Sequence, residues 1–392
     1  GRTIEETKAI VPYLEKEGID YVHVSAGVYR SFDAVIPSMY CKHGWIADLA
    51  KEVKDITQLP VITVGRINDP RIADAILASG KADLVSFGRQ SLCDPETPIK
   101  GEEGRFDDLR TCIACHHGCV GNLMANKPVR CILNPRLGEE FQLEDVKEEE
   151  SKRIMVIGSG PGGLAAAIEA AKAGHEVKVY EKERWAGGQF RLGAVPTGKG
   201  EIVNFINWQL NELKKLDIEV NFNTEVTLDL VKSESPDLIV AAPGAEPFIP
   251  EIPGVDKDHV VTAHDVLAGK CNTGNSVVVI GGGCAGAEAA NHLASNLKSV
   301  TIVEMQSDIA LDEMIVPRWG ILDEMAQYKV KILTNTAVKE IKDTGVCTSG
   351  EFEGEIAADT VVLAVGVRPV TALVDKLKSE GFQVQLIGDA KK

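Results

Sequence analysis

Apolar residues recur along the chain with two periods. Over residues 4–17 the spacing is helical and stops at Gly18, and Thr3 with Glu6 forms a capping-box pattern ahead of it. Short apolar runs at 21–25, 61–64 and 84–87 alternate with helical spacing over 45–56 and 70–80, the second helix entered through Asp69-Pro70. Strands separated by helices predict βαβ units and a parallel sheet. Residues 106–136 follow neither period. Residues 139–153 are charged and hydrophilic, and the Glu148-Glu149-Glu150 run reads as solvated linker. From 154 the alternation restarts with strand 154–157, an alanine-rich helix and strand 176–180. The unit returns as strand 277–280, a second alanine-rich helix and strand 299–303. A helix over 201–216 and strands 218–222 and 238–242 lie between the two. A helix near 317–327, short strands through 357, and strands 360–365 and 382–387 follow.

Composition changes this picture in three ways. The 392 residues suffice for two or three domains. With 42 basic against 58 acidic residues the net charge is −16, which argues against nucleic acid or an anionic membrane as the main partner. No apolar run reaches the length of a membrane span, and residues 1–6 carry no signal-peptide core. Nine cysteines is an odd number, and four are clustered, so a reducing cytoplasm with thiols kept for metal or redox work is the simpler reading.

The cluster is Cys112-x-x-Cys115-x-x-x-Cys119, closed by Cys131. Closely spaced cysteines of this kind hold iron–sulfur clusters, and the spacing fits a 4Fe-4S cube better than zinc, whose sites usually show two C-x-x-C pairs. His116 and His117 read as exposed loop residues. Cys41, Cys93, Cys271 and Cys347 read as ordinary thiols, and Cys284 as a small residue in a turn. Two successive early strands end in Gly65-Arg66 and Gly88-Arg89. Glycine lets backbone N–H groups approach a ligand, and arginine offers a forked cation. Phosphate sites of (β/α)8 barrels lie at the ends of the last strands, so residues 1–108 read as the last three βα units of such a barrel. Eight strands close a barrel, so the chain is expected to be a fragment that begins in mid-domain. Tyr29, just past the first of these strands, is a candidate proton donor. His23 reads as a core histidine.

Gly158-x-Gly160-x-x-Gly163 and Gly281-x-Gly283-x-x-Gly286 each follow a strand, open a helix and have an acid 23 positions on, Glu181 and Glu304. That is the dinucleotide fingerprint in its required context, with pyrophosphate at the helix N-terminus and ribose on the acid. The offset is 123 residues both from 158 to 281 and from 181 to 304, which marks an internal duplication. An acid at 304 favours NADH over NADPH, whose 2′-phosphate it repels.

Together these motifs resemble the iron–sulfur flavoenzyme branch of the old yellow enzyme superfamily, which contains 2,4-dienoyl-CoA reductase, 2-enoate reductase and trimethylamine dehydrogenase. The resemblance spans the whole chain, adding Gly187-Gly188-Gln189, the run from Gly281 to Glu288, and Gly388-Asp389. It implies an α/β fold: the C-terminal part of a TIM barrel (1–108), a 4Fe-4S segment and linker (109–150), and two Rossmann-like domains of the glutathione-reductase type. These bind FAD (151–270 with 370–392) and NAD(P) (271–369). It implies FMN phosphate near Gly65, Arg66, Gly88 and Arg89. FAD lies on Gly158, Gly160, Gly162, Gly163, Glu181, Gly188, Gln189 and Asp389, and NADH on Gly281, Gly283, Gly286, Glu288 and Glu304. Electrons pass from NADH through FAD, the cluster and FMN to an activated alkene, of enoate or enoyl-CoA type. The alternatives are an amine dehydrogenase like trimethylamine dehydrogenase, or a non-catalytic fragment that binds FAD or NAD. Oligomeric state is left open, with a homo-oligomer compatible.

Overall fold

The computed structural model of the chain describes residues 1–142 and 150–391, so Glu148 and Glu149 of the expected linker lie outside the described residues. Two compact units form, Gly1–Gln142 with Met314–Gly320, and Leu143–Glu313 with Ile321–Lys392.

In the first unit the Thr3 hydroxyl accepts from the Glu6 N–H at 3.3 Å while the Glu6 carboxylate accepts from the Thr3 N–H at 2.8 Å. That reciprocal box starts helix Ile4–Lys16 as the residue pattern predicts. Strands β1 (Val22–Val24), β2 (Val61–Thr63) and β3 (Leu84–Val85) form a parallel sheet in that order. They are shorter than their apolar runs because ladder pairing stops before the pattern does. Helix Ala47–Lys54 buries Ala50 and Val53 against Val11, Val24 and Val61, while Ala47 packs with Ile67, Ala73 and Ile76. Each fully buried valine of this group contributes about 1.5–3 kcal/mol. Asp69 caps helix Pro70–Ala78 by accepting the Arg71 N–H at 2.8 Å. His23 is not a core histidine. Side chains alternate across β1, and Val24 takes the packed side while His23 is exposed.

Residues 106–136 contain only short turns, Phe106–Asp108, a single π-helical turn His117–Gly121, and Asn122–Met124. Their backbone groups therefore need side-chain partners. Asn68 Nδ2 donates to Cys112 O at 2.8 Å, and Cys112 N donates to Gln90 Oε1 at 2.7 Å. Gln90 Nε2 donates to Arg110 O at 3.2 Å, and Asp94 Oδ2 accepts the Arg110 N–H at 3.0 Å. Lys100 Nζ holds both Asp94 oxygens, at 3.0 and 2.9 Å. Asn134 Nδ2 donates to Leu92 O at 3.0 Å. Asn68, Gln90, Asp94, Lys100 and Asn134 are all buried. The cysteine segment is thus built onto the third βα unit and groups with it, not as a separate body.

The second unit repeats itself in detail. Strand Arg153–Ile157, helix Pro161–Lys172 and strand Glu176–Tyr180 recur as Ser276–Ile280, Cys284–Ser295 and Ser299–Val303, each shifted by 123 residues. Each unit builds a five-stranded sheet. In the first the order is Val384–Leu386, Leu238–Ala241, Arg153–Ile157, Glu176–Tyr180, Val220–Asn221, all parallel. In the second it is Val260–Thr262, Thr360–Leu363, Ser276–Ile280, Ser299–Val303, Lys331–Leu333, also parallel. Val260–Thr262 therefore belongs to the second sheet, although the sequence reading placed it in the first domain. In both sheets the connection order reverses at the strand that enters the glycine turn, the place where such sheets bind ligands.

The buried Asp94–Lys100 pair generates a prediction. Asp94→Ala leaves the Lys100 ammonium with only the more exposed Glu96 carboxylate at 3.3 Å and removes the acceptor of the Arg110 N–H, so stability should fall by about 3 kcal/mol. Urea unfolding of the intact chain measures it, and a change below about 1 kcal/mol would mean the anchor is dispensable.

Candidate functional site

The four cysteines meet in one cavity, which is lined by Cys112, Cys115, Cys119 and Cys131 together with Arg89, His116 and Leu133. Gly118 brings the last cysteine in. Arg130 N donates to Gly118 O at 2.8 Å, and a Cβ at 118 would lie 2.7 Å from Arg130 O. Burial pushes the Cys112 thiol up to about 11 and the Cys115 thiol to about 12, and it raises Cys119 as well. Cys131 behaves differently. Its closeness to Cys93 lowers it to about 6 against burial, while Cys93 is itself pushed well up by Cys131 and by burial. Cys93 is therefore no ordinary thiol: it is fully buried, with Sγ 3.1 Å from Arg110 O.

Four convergent thiols are a ligand set that either a zinc ion or an iron–sulfur cluster accepts.

The Gly-Arg pairs lie in the same unit. Gly65 (φ 111°) needs its missing Cβ, which would press on Ile46 at 2.9 Å. Arg66 donates to Cys41 O. Arg89 opens helix Arg89–Cys93, and its Nη1 lies 2.6 Å from His116 Nε2. Both guanidinium charges pull the Cys41 thiol down, against burial that raises it. His116 is not an exposed loop residue. It is 1% exposed, because a left-handed backbone (φ 66°) turns its ring inward. Tyr29 lies in the turn Tyr29–Ser31 and is 92% exposed.

In the second unit the two glycine turns are built alike. Glu181 accepts the Ser159 and Glu183 N–H groups at 2.8 and 2.9 Å, and Glu304 accepts those of Gly282 and Gln306 at 2.6 and 2.7 Å. A Cβ on Gly163 or Gly286 would fall well inside contact distance of Gly158 O or Gly281 O. On Gly160 it would meet nothing within 4 Å, and on Gly283 only the Asp312 carboxylate at 3.6 Å or more. The middle glycine of each turn is thus not required by the protein's own packing, and it leaves the approach open to a pyrophosphate. Gly188 and Gly388 close on the first turn: a Cβ on Gly188 would lie 3.3 Å from Gly160 Cα, and one on Gly162 would lie 3.9 Å from Gly388 Cα. Asp389 follows in the turn Gly388–Lys391, and Gln189 donates to Ala245 O. Gly160, Gly162, Gly188 and Gly388 therefore come together.

The second turn differs at its helix. Cys284 N donates to Asp312 Oδ1 at 2.8 Å, and Cys284 Sγ lies 3.0 Å from Glu288 and 3.3 Å from Glu313. Glu288, expected beside NAD, is buried and ion-paired with Lys199. Burial alone would lower the Lys199 ammonium, but Glu288 and its neighbours raise it. Burial and these carboxylates push the Cys284 thiol far up. Cys284, Glu288 and Glu313 place donor atoms within 4.8 Å, and the cation they face is Lys199. Sequence reasoning missed Asn68, Gln90, Cys93, Asp94, Gly118 and Lys199, whose roles depend on distant partners. Among the described residues no helix is long and apolar enough to cross a membrane.

Comparison with known proteins bears on both units. Residues 152–387 match the family described as pyridine nucleotide-disulphide oxidoreductase, and residues 2–108 match the NADH:flavin oxidoreductase / NADH oxidase family. An NADH oxidase of Thermoanaerobacter brockii is 40% identical over 400 residues, covering 100% of this chain and 61% of that protein. A cinnamate reductase of Clostridium sporogenes is 33% identical over 397 residues, covering 100% and 59%. The structure of a 2-naphthoyl-CoA reductase complex superposes with a TM-score of 0.96 at 32% identity, over 100% of this chain and 60% of that one. The chain thus spans about three fifths of the length of the curated relatives it matches.

Two predictions follow from this geometry. Gly163→Ala forces a side chain against backbone and should cost about 1–3 kcal/mol. Gly160→Ala should leave thermal stability within about 0.5 kcal/mol and still lower the FAD retained per chain. Equal flavin retention in Gly160→Ala and the parent would remove the pyrophosphate role of this turn. The second prediction concerns pH. In the metal-free chain Cys112 and Cys115 titrate at about 11 and about 12, above the roughly 8.5 of an unfolded thiol. The folded state then keeps protons that the unfolded state releases, so this stabilisation is complete below pH ~8.5 and is lost as pH rises above it. The urea midpoint should fall between pH 8.5 and 10, and fall less in a Cys112→Ser, Cys115→Ser variant.

Proposed function

The chain belongs to the pyridine nucleotide-disulphide oxidoreductase family, preceded by an NADH:flavin oxidoreductase segment, and on that premise we propose an NADH-dependent flavin and iron–sulfur oxidoreductase reducing an activated C=C bond. The observation that carries the reading is the convergence of the four closely spaced cysteines in one cavity, tied by buried side chains to the segment that follows β3. A one-electron centre beside a flavin-phosphate site suits transfer between two flavins.

Cys112, Cys115, Cys119 and Cys131 would hold the cluster. Gly65, Arg66, Gly88 and Arg89 would face the FMN phosphate, where two guanidinium groups near Cys41 supply the opposite charge. Gly158, Gly160, Gly162, Gly163, Glu181, Gly188, Gln189 and Asp389 would hold FAD. Gly281, Gly283, Gly286 and Glu304 would hold NADH, with Glu288 orienting Lys199 beneath them. When bound, these groups supply hydride uptake from NADH, one-electron relay, and hydride delivery to an electron-poor alkene carbon. The polypeptide positions and insulates. Buried Gln90, Asp94 and Asn68 fix the cradle, and Glu304 accepts from a ribose while repelling a 2′-phosphate. Asp312, which now takes the Cys284 N–H, must yield that donor to a pyrophosphate. The names of two relatives, a cinnamate reductase and a 2-naphthoyl-CoA reductase, support an unsaturated acid or acyl-CoA as the substrate class. Tyr29, in the exposed turn Tyr29–Ser31, would be the candidate proton donor.

An anaerobic cofactor inventory followed by stopped flow tests the reading. Roughly four irons with matching sulfide per chain are expected. NADH should bleach the FAD band at least tenfold more effectively than NADPH, a difference of about 1.4 kcal/mol. One zinc without sulfide would overturn the cluster. Bleaching by an N-methylated amine and not by NADH would replace the reductase with an amine dehydrogenase.

A further inference from the structure

His116 occupies a costly position. Its φ of 66° lies in the left-handed region, where glycine would be cheaper. Ala114, on the other side of Cys115, is also left-handed at φ 53°. The chain nevertheless keeps an imidazole there and buries it to 1% exposure. The ring's Nε2 lies 2.6 Å from Arg89 Nη1 and 3.3 Å from Pro37 O. Arginine is a donor only, so at the shorter contact Nε2 must accept, which leaves the imidazole neutral with its proton on Nδ1. The Arg89 guanidinium is held in this way on the wall of the cysteine cavity. Arg89 therefore presents a fixed positive charge to the same cavity that Cys112, Cys115, Cys119 and Cys131 line.

We propose that His116 is a positioning residue that holds Arg89 over the cysteine cradle, where its fixed charge raises the reduction potential of the bound cluster. Taking up one electron makes a cluster one unit more negative, and a nearby cation favours that form. Net charge and hydrogen bonding around the sulfurs are the levers by which proteins set such potentials. A neutral imidazole can orient the guanidinium without adding a second charge. The pair thereby couples the Gly-Arg end of β3 to the centre that exchanges electrons with it. This inference rests on the cluster reading above.

The test is an anaerobic redox titration of the whole chain, following the reduced cluster by electron paramagnetic resonance, with iron and sulfide measured in every sample. The variants are His116→Leu, His116→Gln and Arg89→Gln. His116→Leu and Arg89→Gln should each lower the midpoint, by at least tenfold in the reduced-to-oxidised ratio at fixed poise, about 59 mV for one electron. The His116→Leu, Arg89→Gln double variant should shift no further than Arg89→Gln alone. His116→Gln, whose amide oxygen can still accept from Arg89, should stay near the parent. Unchanged midpoints with full iron, or additive shifts, overturn the proposal. Loss of the cluster from both His116→Leu and Arg89→Gln also overturns it, because the pair would then be a structural prop. A parent chain without iron and sulfide sinks the cluster reading itself, an outcome that none of the variant results can imitate.

Discussion

A segment without helix or sheet cannot be buried unless something else satisfies its backbone, and this constraint places the cysteines. Each such bond contributes only about 0.5–1.5 kcal/mol, but leaving a buried group unpaired costs about 1–3 kcal/mol. Residues 110–112 meet the requirement with the side chains of Asn68, Gln90 and Asp94. Asp94 is in turn held by Lys100. The geometry of the cradle is therefore set by residues between β2 and the helix Thr97–Glu102, all of which precede the first cysteine. The cysteine loop is an outgrowth of the third βα unit, and any movement of that unit's end is passed to the sulfurs.

The duplicated unit shows the same logic with the opposite economy. Its backbone groups are satisfied by regular structure, so few side chains are committed and the two copies superimpose in register. The carboxylates of Glu181 and Glu304 bond the same two N–H positions of their own turns. What differs lies one step outside that frame. Pro161 opens the first helix and offers no N–H, whereas Cys284 opens the second and donates to Asp312. Ala165 of the first helix is matched by Glu288 in the second, which carries the Lys199 pair. The first turn has no such acid on its helix start, whereas in the second the chain's own Asp312 takes the Cys284 N–H.

This contrast explains what could be read from the residues in order. The periods of 2 and 3.6, the glycine turns and the 123-residue offset are local or repeated signals, and the structure follows them to within a few residues. The four cysteines are likewise legible by spacing. Gln90, Asp94 and Asn68 were not, because each bonds a partner 16 to 44 positions away and no pattern marks them. His116 looked like loop polarity, and only its left-handed backbone turns it inward. Cys93 carried no partner spacing because its partner, Cys131, is a neighbour in space alone. Tyr29 was picked out by its place after the strand, and that place is an exposed turn.

Burial and charge then oppose one another in the cradle. The low dielectric that raises Cys112, Cys115 and Cys119 disfavours their thiolates. Cys131 is the exception, lowered by its interaction with Cys93. Arg89, on the same cavity, offsets part of the remaining cost. On the proposed reading, metal binding would supply the rest and expel the protons. The same burial that resists thiolates in the empty loop makes every nearby charge count for more once the loop is filled. A single guanidinium fixed by a neutral imidazole can therefore matter there, while most of the chain's acidic excess, solvated at the surface, is screened from the sulfurs.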